Sequence, residues 1–255
     1  MTTLPRTPSF RLDGQSALVT GAGRGLGLAC AVALADAGAS VTLAARTEDE
    51  IRAGATAITA AGGTADTLVL DVLDVEAVRR AIGEAGPFSI LVNNAGTNRP
   101  KPFTGVTVDD YDAVLDLNLK AALFVAQAVA TGMIEAGRGG SIIHMGSQMG
   151  HVGGANRSLY CASKWAIEGL SKAMALDLAA YGVRSNTIAP TFIETPMTRP
   201  FFEDAAFRDS VLSKIKLGRL GTVEDIMGAV VYLASPASAL VTGTSMLVDG
   251  GWTAD

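Results

Sequence analysis

Seven short apolar runs recur along the chain: SALVT (16–20), SVTLAA (40–45), DTLVLDV (66–72), SILVNN (89–94), SIIHMGS (141–147), VRSNTIA (183–189) and SMLVDG (245–250). Their apolar positions are near-continuous rather than alternating, the pattern of strands buried on both faces. Ala-rich segments lie between them, such as LGLACAVALADAG (26–38) and AALFVAQAVATGMIEAG (121–137), and end at glycine as helices often do. Strand, helix, strand repeated in this way predicts an α/β fold, a doubly wound parallel sheet of about seven strands with helices on both faces. No repeat or linker divides the chain, so one domain is expected over residues 11–255, after a mobile tail, MTTLPRTPSF (1–10). Ligands of such sheets sit beyond the carboxyl ends of the strands. The chemistry is therefore sought just after each run.

Composition narrows the function classes. Of 255 residues, 49% are hydrophobic and 18% charged, enough for a sizeable core. A net charge of -5 argues against a nucleic-acid or anionic-membrane partner and leaves a small-molecule substrate. Gly and polar residues break every apolar run, so no membrane span is expected. The N-terminus lacks the apolar core of a signal peptide. The two cysteines, Cys30 and Cys161, have no metal-like spacing; they fit a reducing, cytoplasmic setting, and no metal site is expected.

The first run is followed by TGAGRGLG, whose Gly21, Gly25 and Gly27 give G-x-x-x-G-x-G, a strand-to-helix turn that lets backbone approach a pyrophosphate. After the second run an acidic residue would accept the ribose 2′-hydroxyl of NAD; here Ala44 and Ala45 leave that place neutral and Arg46 follows. Asp71 follows the third run, NNAG (93–96) the fourth, and Ser147 the fifth. Thirteen residues later SLYCASKWAIEGL sets Tyr160 and Lys164 four apart in a predicted helix, on one face. A cation ~4 Å from a phenol oxygen favours phenolate by ~4 kcal/mol at an effective dielectric of ~20. Lys164 is therefore expected to bring Tyr160 down toward the range where a general acid/base works best. A nucleophilic Ser147 would need a histidine base; His144 lies inside a strand run, and a serine hydrolase is disfavoured.

Together TGAGRGLG, NNAG, Asn118 in DLNLK, Ser147, YCASK and VDGG (248–251) resemble the short-chain dehydrogenase/reductase family over about Phe10 to Trp252. The resemblance implies a Rossmann-type sheet and a catalytic tetrad of Asn118, Ser147, Tyr160 and Lys164. Tyr160 would be the acid/base, Ser147 would hydrogen-bond the substrate oxygen, Lys164 would lower the tyrosine and hold the nicotinamide ribose, and Asn118 would anchor a water. It further implies a cofactor site in which Gly21, Gly25 and Gly27 cradle the pyrophosphate, with Arg24 and Leu26 of the same turn also against the cofactor. Asp71 and Val72 would bracket the adenine, and Asn93, Ala95 and Gly96 would lie under the cofactor. Pro190, Ile193 and Thr195 would lie by the carboxamide. Thr191 stands where the family usually has glycine, and a threonine does not easily take φ > 0. Arg46 and Arg24 resemble the basic pair of NADP-preferring members, so NADP is expected over NAD. A homotetramer through the apolar helices is also implied.

Residues 191–221 correspond to the family's variable lid, and Phe201, Phe202 and Phe207 are expected mostly to pack it down. The substrate end gathers Ser147, Gln148, His151, Asn156 and Tyr160, with Arg157 beside them and Asn98 and Arg99 after NNAG, a polar neighbourhood suited to hydroxylated molecules. The text most resembles the gluconate 5-dehydrogenase and polyol dehydrogenase branch. It implies an NAD(P)-dependent enzyme interconverting a secondary alcohol and a ketone on a sugar acid, a polyol or a similar substrate. A 3-oxoacyl-[acyl-carrier-protein] reductase is the alternative reaction, marked by a basic patch at the mouth, and a non-catalytic nucleotide-binding regulator is the alternative class.

Overall fold

In the computed structural model, which describes residues 3–196 and 198–254, the apolar runs become β1 (Ser16–Thr20), β2 (Ser40–Ala45), β3 (Thr64–Val69), β4 (Ile90–Asn93), β5 (Gly140–Met145), β6 (Val183–Pro190) and β7 (Ser245–Val248). They form one seven-stranded sheet in the order β3-β2-β1-β4-β5-β6-β7, with every neighbouring pair parallel. The near-continuous hydrophobicity follows from the pleat, because successive side chains enter opposite layers. In β1, Ala17 and Val19 join the core under α1 (Gly25–Asp36) and α8 (Glu224–Ala234), while Leu18 joins the core on the other face. That second core is completed by α3 (Val75–Ala85) and α5 (Ala122–Ala136). Fully burying one such Leu, Ile or Val contributes ~1.5–3 kcal/mol, and Leu18, Leu43, Ile90, Leu91, Ile142, Ile143 and Ile188 are all buried to within 1%.

β3 starts before the predicted run and stops before Leu70. It is the edge strand, with exposed Thr64, Asp66 and Val69, so the apolar residues that suggested its extent partly belong to the loop that follows. α4 (Val108–Leu115) begins in a capping box between Thr107 and Asp110. It continues through a π-turn, Asp116–Ala121, directly into α5. The joined helix, Val108–Ala136, is the one among the described residues that is long and apolar enough to cross a membrane. The apolar segment 121–137 read from the sequence is the C-terminal part of it. Its face bearing Val125, Ala126, Val129 and Met133 is buried in the core, which accounts for its composition. Residues 3–10 are exposed and carry no regular structure, although the Phe10 ring lies 6.3 Å from that of Tyr232.

β1 is flanked by β2 and β4, so chain connections leave it in opposite directions. The crevice of an open α/β sheet lies at such a switch point, outside the strand ends. Beyond β5 and β6 the long helix α6 (Ser158–Leu178) packs on the sheet. The segment after β6 folds over the strand ends as a short helical cover containing α7 (Ala205–Leu212). Phe192, Phe202, Phe207 and Trp252 pack that cover down over Val211, Ile215 and Leu220, while Phe201 touches the edge of the cluster at Phe207 and also lines the cleft described below.

Candidate active site

A cleft of about 320 Å³ runs across the carboxyl ends of the central strands. At one end is the glycine turn between β1 and α1. Gly21 and Gly25 have φ of 62° and 58°, the left-handed region that only glycine enters freely. Gly27 needs its missing side chain for a different reason: a Cβ there would lie 2.2 Å from the Gly21 carbonyl oxygen. The first turn of α1 has no side-chain cap and no acidic residue, so its free amides face the cleft end uncovered. Arg24, Leu26, Ala95 and Gly96 also line this part. The cradle fits a dinucleotide pyrophosphate by its bare backbone and by the positive end of the α1 dipole.

Below the cradle, the two asparagines of NNAG divide by strand parity. Asn93 points into the layer under the sheet, where its Nδ2 donates to the Ala122 carbonyl at 2.7 Å, and it does not line the cleft. Asn94 is the lining residue; its Nδ2 donates to Thr20 O and Gly21 O at 3.0 and 3.2 Å, bracing the glycine turn. Pro190, Ile193 and Thr195 line the far wall. Thr191 takes an ordinary backbone conformation rather than φ > 0, so the exchange of the usual glycine causes no strain. Its hydroxyl lies in the cleft wall as a buried, unpaired polar atom, suited to a ligand amide.

The catalytic end is assembled from three elements. Ser147 caps the short turn after β5: its Oγ accepts from Met149 N at 3.1 Å and donates to Gln148 Oε1 at 2.7 Å. Tyr160 and Lys164 come from the first turns of α6. Asn118 comes from the π-turn, a distortion frequent at functional sites. Its Oδ1 accepts from Thr97 N at 2.7 Å, and its Nδ2 donates to Thr97 O at 2.9 Å and Ser163 Oγ at 3.0 Å. Ser147, Tyr160 and Lys164 line the cleft with Gln148, and Asn118 sits one layer behind, holding Thr97.

The electrostatics correct one expectation. Tyr160 is held above the ordinary tyrosine range, because burial penalises phenolate; hydrogen bonding from Ser147 and the charge of Arg157 pull it down by less, and Cys161 adds a push upward. Lys164 is not what lowers it. Its Nζ donates to the Met145 carbonyl at 2.7 Å and stands 5.5 Å from the centre of the Tyr160 ring, so its charge is directed to backbone and the ring face. Burial pushes Lys164 itself down to about 8, opposed by the carboxylate of Glu168 one turn on.

Other expected site residues lie elsewhere. His151 turns away from the cleft: its Nε2 is 2.9 Å from Ser245 Oγ and 3.5 Å from Glu168 Oε1. Asn156 is exposed with φ of 58°, shaping the loop into α6, and it does not line the cleft. Asp71 is exposed and its Oδ1 accepts from Leu73 N at 3.0 Å, while Val72 is buried; both follow β3 outside the cleft lining. Arg46 is exposed just past β2. Arg24 does not stand free, since its Nη1 meets Glu50 Oε1 at 3.0 Å. Arg157 lines the cleft, and so do Phe201 of the cover and Thr97; of these, Thr97 is the one the sequence did not single out.

Comparison with known proteins agrees with this arrangement. The family model described as Enoyl-(Acyl carrier protein) reductase matches residues 21–253. L-Xylulose reductase of Bos taurus is 37% identical over 245 residues, covering 96% of this chain and 99% of the relative. Gluconate 5-dehydrogenase of Gluconobacter oxydans (strain 621H) is 39% identical over 248 residues, covering 96% of each. The solved structure of a gluconate 5-dehydrogenase from Burkholderia cenocepacia J2315, in complex with NADP and tartrate, has a TM-score of 0.93 and 41% identity, covering 96% of this chain and 98% of that one. A dinucleotide cradle, a Ser-Tyr-Lys end and this extent of likeness make the chain a member of the short-chain dehydrogenase/reductase family, an oxidoreductase acting on CH–OH groups.

Proposed function

We propose that this enzyme interconverts a secondary alcohol and its ketone on a sugar acid, a polyol or a similar hydroxylated molecule, with NADP in preference to NAD. The observation that carries the reading is the convergence of Ser147, Tyr160 and Lys164 at one end of a cleft whose other end is the glycine cradle. The bound nicotinamide cofactor supplies or accepts the hydride. Tyr160, held as phenol, donates its proton to the oxygen of the ketone being reduced; in the reverse direction it must first lose that proton. Ser147 turns its hydroxyl from Gln148 to the same oxygen and fixes it. Lys164, buried and anchored on Met145 O, holds its ammonium under the reacting end and would steady the cofactor ribose. Asn118 keeps Thr97 and the adjoining wall in place.

NADP preference rests on Arg46, exposed just past β2 after the neutral Ala44 and Ala45, where it would meet a ribose 2′-phosphate. Arg24 contributes only after exchanging Glu50 for the phosphate. A homotetramer would cover the exposed Trp165, Leu176 and Tyr181 on and after α6; light scattering giving a monomer at micromolar concentration would refute it. The reaction itself is tested by following the nicotinamide absorbance with C4–C6 sugar acids, alditols, simple ketones and 3-oxoacyl thioesters, each with both cofactors. Turnover confined to the thioesters, or none at all, would overturn the reading.

A further inference from the structure

Arg157 is the least explained charge in the molecule. It sits at the N-terminal boundary of α6, is 7% exposed, and lines the cleft beside Ser147, Gln148 and Tyr160. Its backbone bonds Gly154 O and Cys161 N, but among the described residues its guanidinium forms no ion pair and no hydrogen bond. Its recorded partner is the ring of Phe201, whose centre lies 5.4 Å from the guanidinium carbon. Burying an arginine without an anion is costly. This one pays visibly, since burial pulls its pKa below the ordinary arginine value.

The geometry shows what could compensate that burial. The guanidinium carbon lies over the Phe201 ring, a cation–π arrangement. Met149 and the stem of Arg157 close in around Gly154, where an added Cβ would lie 3.0 Å from Met149 Cε and 3.2 Å from Arg157 Cγ. The stem is thus fixed, while the in-plane N–H donors stay uncommitted. A fork of coplanar donors is the shape that binds a carboxylate through two parallel bonds. Arg24, Arg157 and Lys164 are the charged residues lining the cleft, and no Asp or Glu among the described residues lines it, in a chain of net charge -5. Arg24 already has Glu50, and Lys164 has Met145 O, so Arg157 is the open position. It precedes Tyr160 by three residues, about one turn or ~5 Å along the helix, on the same side. An anion on Arg157 therefore belongs to the molecule whose carbinol meets Tyr160, and is separated from it by a few carbons.

We infer that Arg157 is a carboxylate subsite and that the substrate is a hydroxy acid of the sugar-acid type rather than a neutral polyol. This rests on the alcohol–ketone reading of the same cleft. Phe201, from the cover over the strand ends, makes the subsite shut when the cover is down, which removes water from the ion pair and strengthens it.

The test compares C4–C6 aldonates with alditols of equal length, which differ only in carboxylate against CH2OH. In the wild type the aldonates should have the higher kcat/KM. In Arg157→Leu the aldonate-to-alditol ratio should fall ~10–150-fold, the range of a charge-assisted hydrogen bond, mainly through KM. Arg157→Lys should restore part of it. Thermal shift in the presence of NADP+ supplies a readout without turnover: D-gluconate should raise the Tm of the wild type more than D-glucitol does, and that difference should vanish in Arg157→Leu. A ratio unchanged by either variant, with no carboxylate-dependent shift, overturns the subsite and leaves the oxidoreductase standing. A carboxylate-dependent shift without turnover of any tested alcohol leaves the subsite standing and overturns the reaction. If Arg157→Leu does not fold, the Arg157→Lys ratio decides, since an equal or higher ratio than the wild type contradicts a forked carboxylate contact.

Discussion

Gly27→Ala should damage this enzyme far more than one added methyl group suggests. The new Cβ would lie 2.2 Å from Gly21 O, 2.6 Å from Asn94 Nδ2 and 2.8 Å from Gly21 C. Carbon–oxygen contact is comfortable near ~3.5 Å, so about 1 Å of separation must open between β1's turn and α1. Two of the three obstructing atoms are backbone, and the third is an amide already bonded to Thr20 O and Gly21 O. Overpacking of this kind costs ~1–3 kcal/mol. In a chain of this size each kcal/mol lowers Tm by roughly 2–4 °C, so a fall of about 2–12 °C is expected. Cofactor affinity should suffer more, because the same movement shifts the amides of α1 off the pyrophosphate; the dissociation constant for NADP+ should rise at least ~10-fold, as a lost charge-assisted bond does. The controls are built into the turn. A Cβ on Gly23 would meet the end of the flexible Glu50 side chain at 2.5 Å, and one on Gly25 would meet only Thr195 at 3.6 Å, with strain from φ of 58° worth ~1–2 kcal/mol. Calorimetric titration and thermal denaturation of the three variants should rank Gly27→Ala worst. Wild-type Tm and NADP+ affinity in Gly27→Ala, or equal damage from Gly23→Ala, would refute the close-approach argument.

Tyr160→Phe should lower kcat by ~10²-fold or more while NADP+ binding stays near wild type, because only the proton-transfer atom is lost; retention of most turnover would end the assignment. Arg46→Ala should weaken NADP+ binding by ~10–150-fold and leave NAD+ binding nearly as it was, and a higher kcat/KM with NAD in the wild type would contradict the preference. His144 should make the fold acid-sensitive. Burial and the charge of Lys164 hold its pKa at about 4 against an ordinary 6.5, with Nε2 unpaired. On acidification the unfolded chain takes that proton first, so stability falls as pH drops from about 6.5 to about 4. The loss is ~3 kcal/mol in total at ~1.36 kcal/mol per pH unit. Asp110 and Asp225, held below the carboxylate range by their cation partners, add their own losses only at lower pH. Urea unfolding at pH 7 and pH 5 should show the slope, and His144→Asn should flatten it; an unchanged slope would place the acid sensitivity elsewhere.

The strands were legible because each carries apolar side chains to two cores, and the cradle because three glycines were needed for backbone reasons that no other residue meets. Ser147, Tyr160 and Lys164 were legible because they lie at strand ends or one turn apart on a helix. Residues placed by loops were not. His151 follows Ser147 by four positions yet faces Glu168 and Ser245, and Asn156 spends its side-chain position on a left-handed bend. Asn93 and Asn94 could have been told apart from sequence, since the last residue of a strand and the next must point to opposite sides. Arg157 could be placed near the catalytic end from sequence, but its missing anion could not, because only the packed structure shows which charges already have partners.

The tyrosine itself shows where proximity reasoning stops. One helical turn between Tyr160 and Lys164 does bring them together, but a Coulomb estimate at fixed separation leaves out where the ammonium points and what burial does to the phenolate. Lys164 aims at Met145 O, and desolvation outweighs the lowering by Ser147 and Arg157. The free protein therefore presents a phenol, ready to protonate a ketone oxygen, and oxidation of an alcohol must wait for deprotonation. Reduction should then hold its rate through neutral pH, while oxidation climbs as pH rises. Arg157 enters both halves of this behaviour: it is one of the two groups that lower Tyr160, and an anion bound to it would cancel part of that help. A carboxylate substrate should thus raise Tyr160 further and shift the rise of oxidation to higher pH than a neutral alditol does. A single pH at which both substrates begin to be oxidised would show that Arg157 does not couple the subsite to the proton on Tyr160.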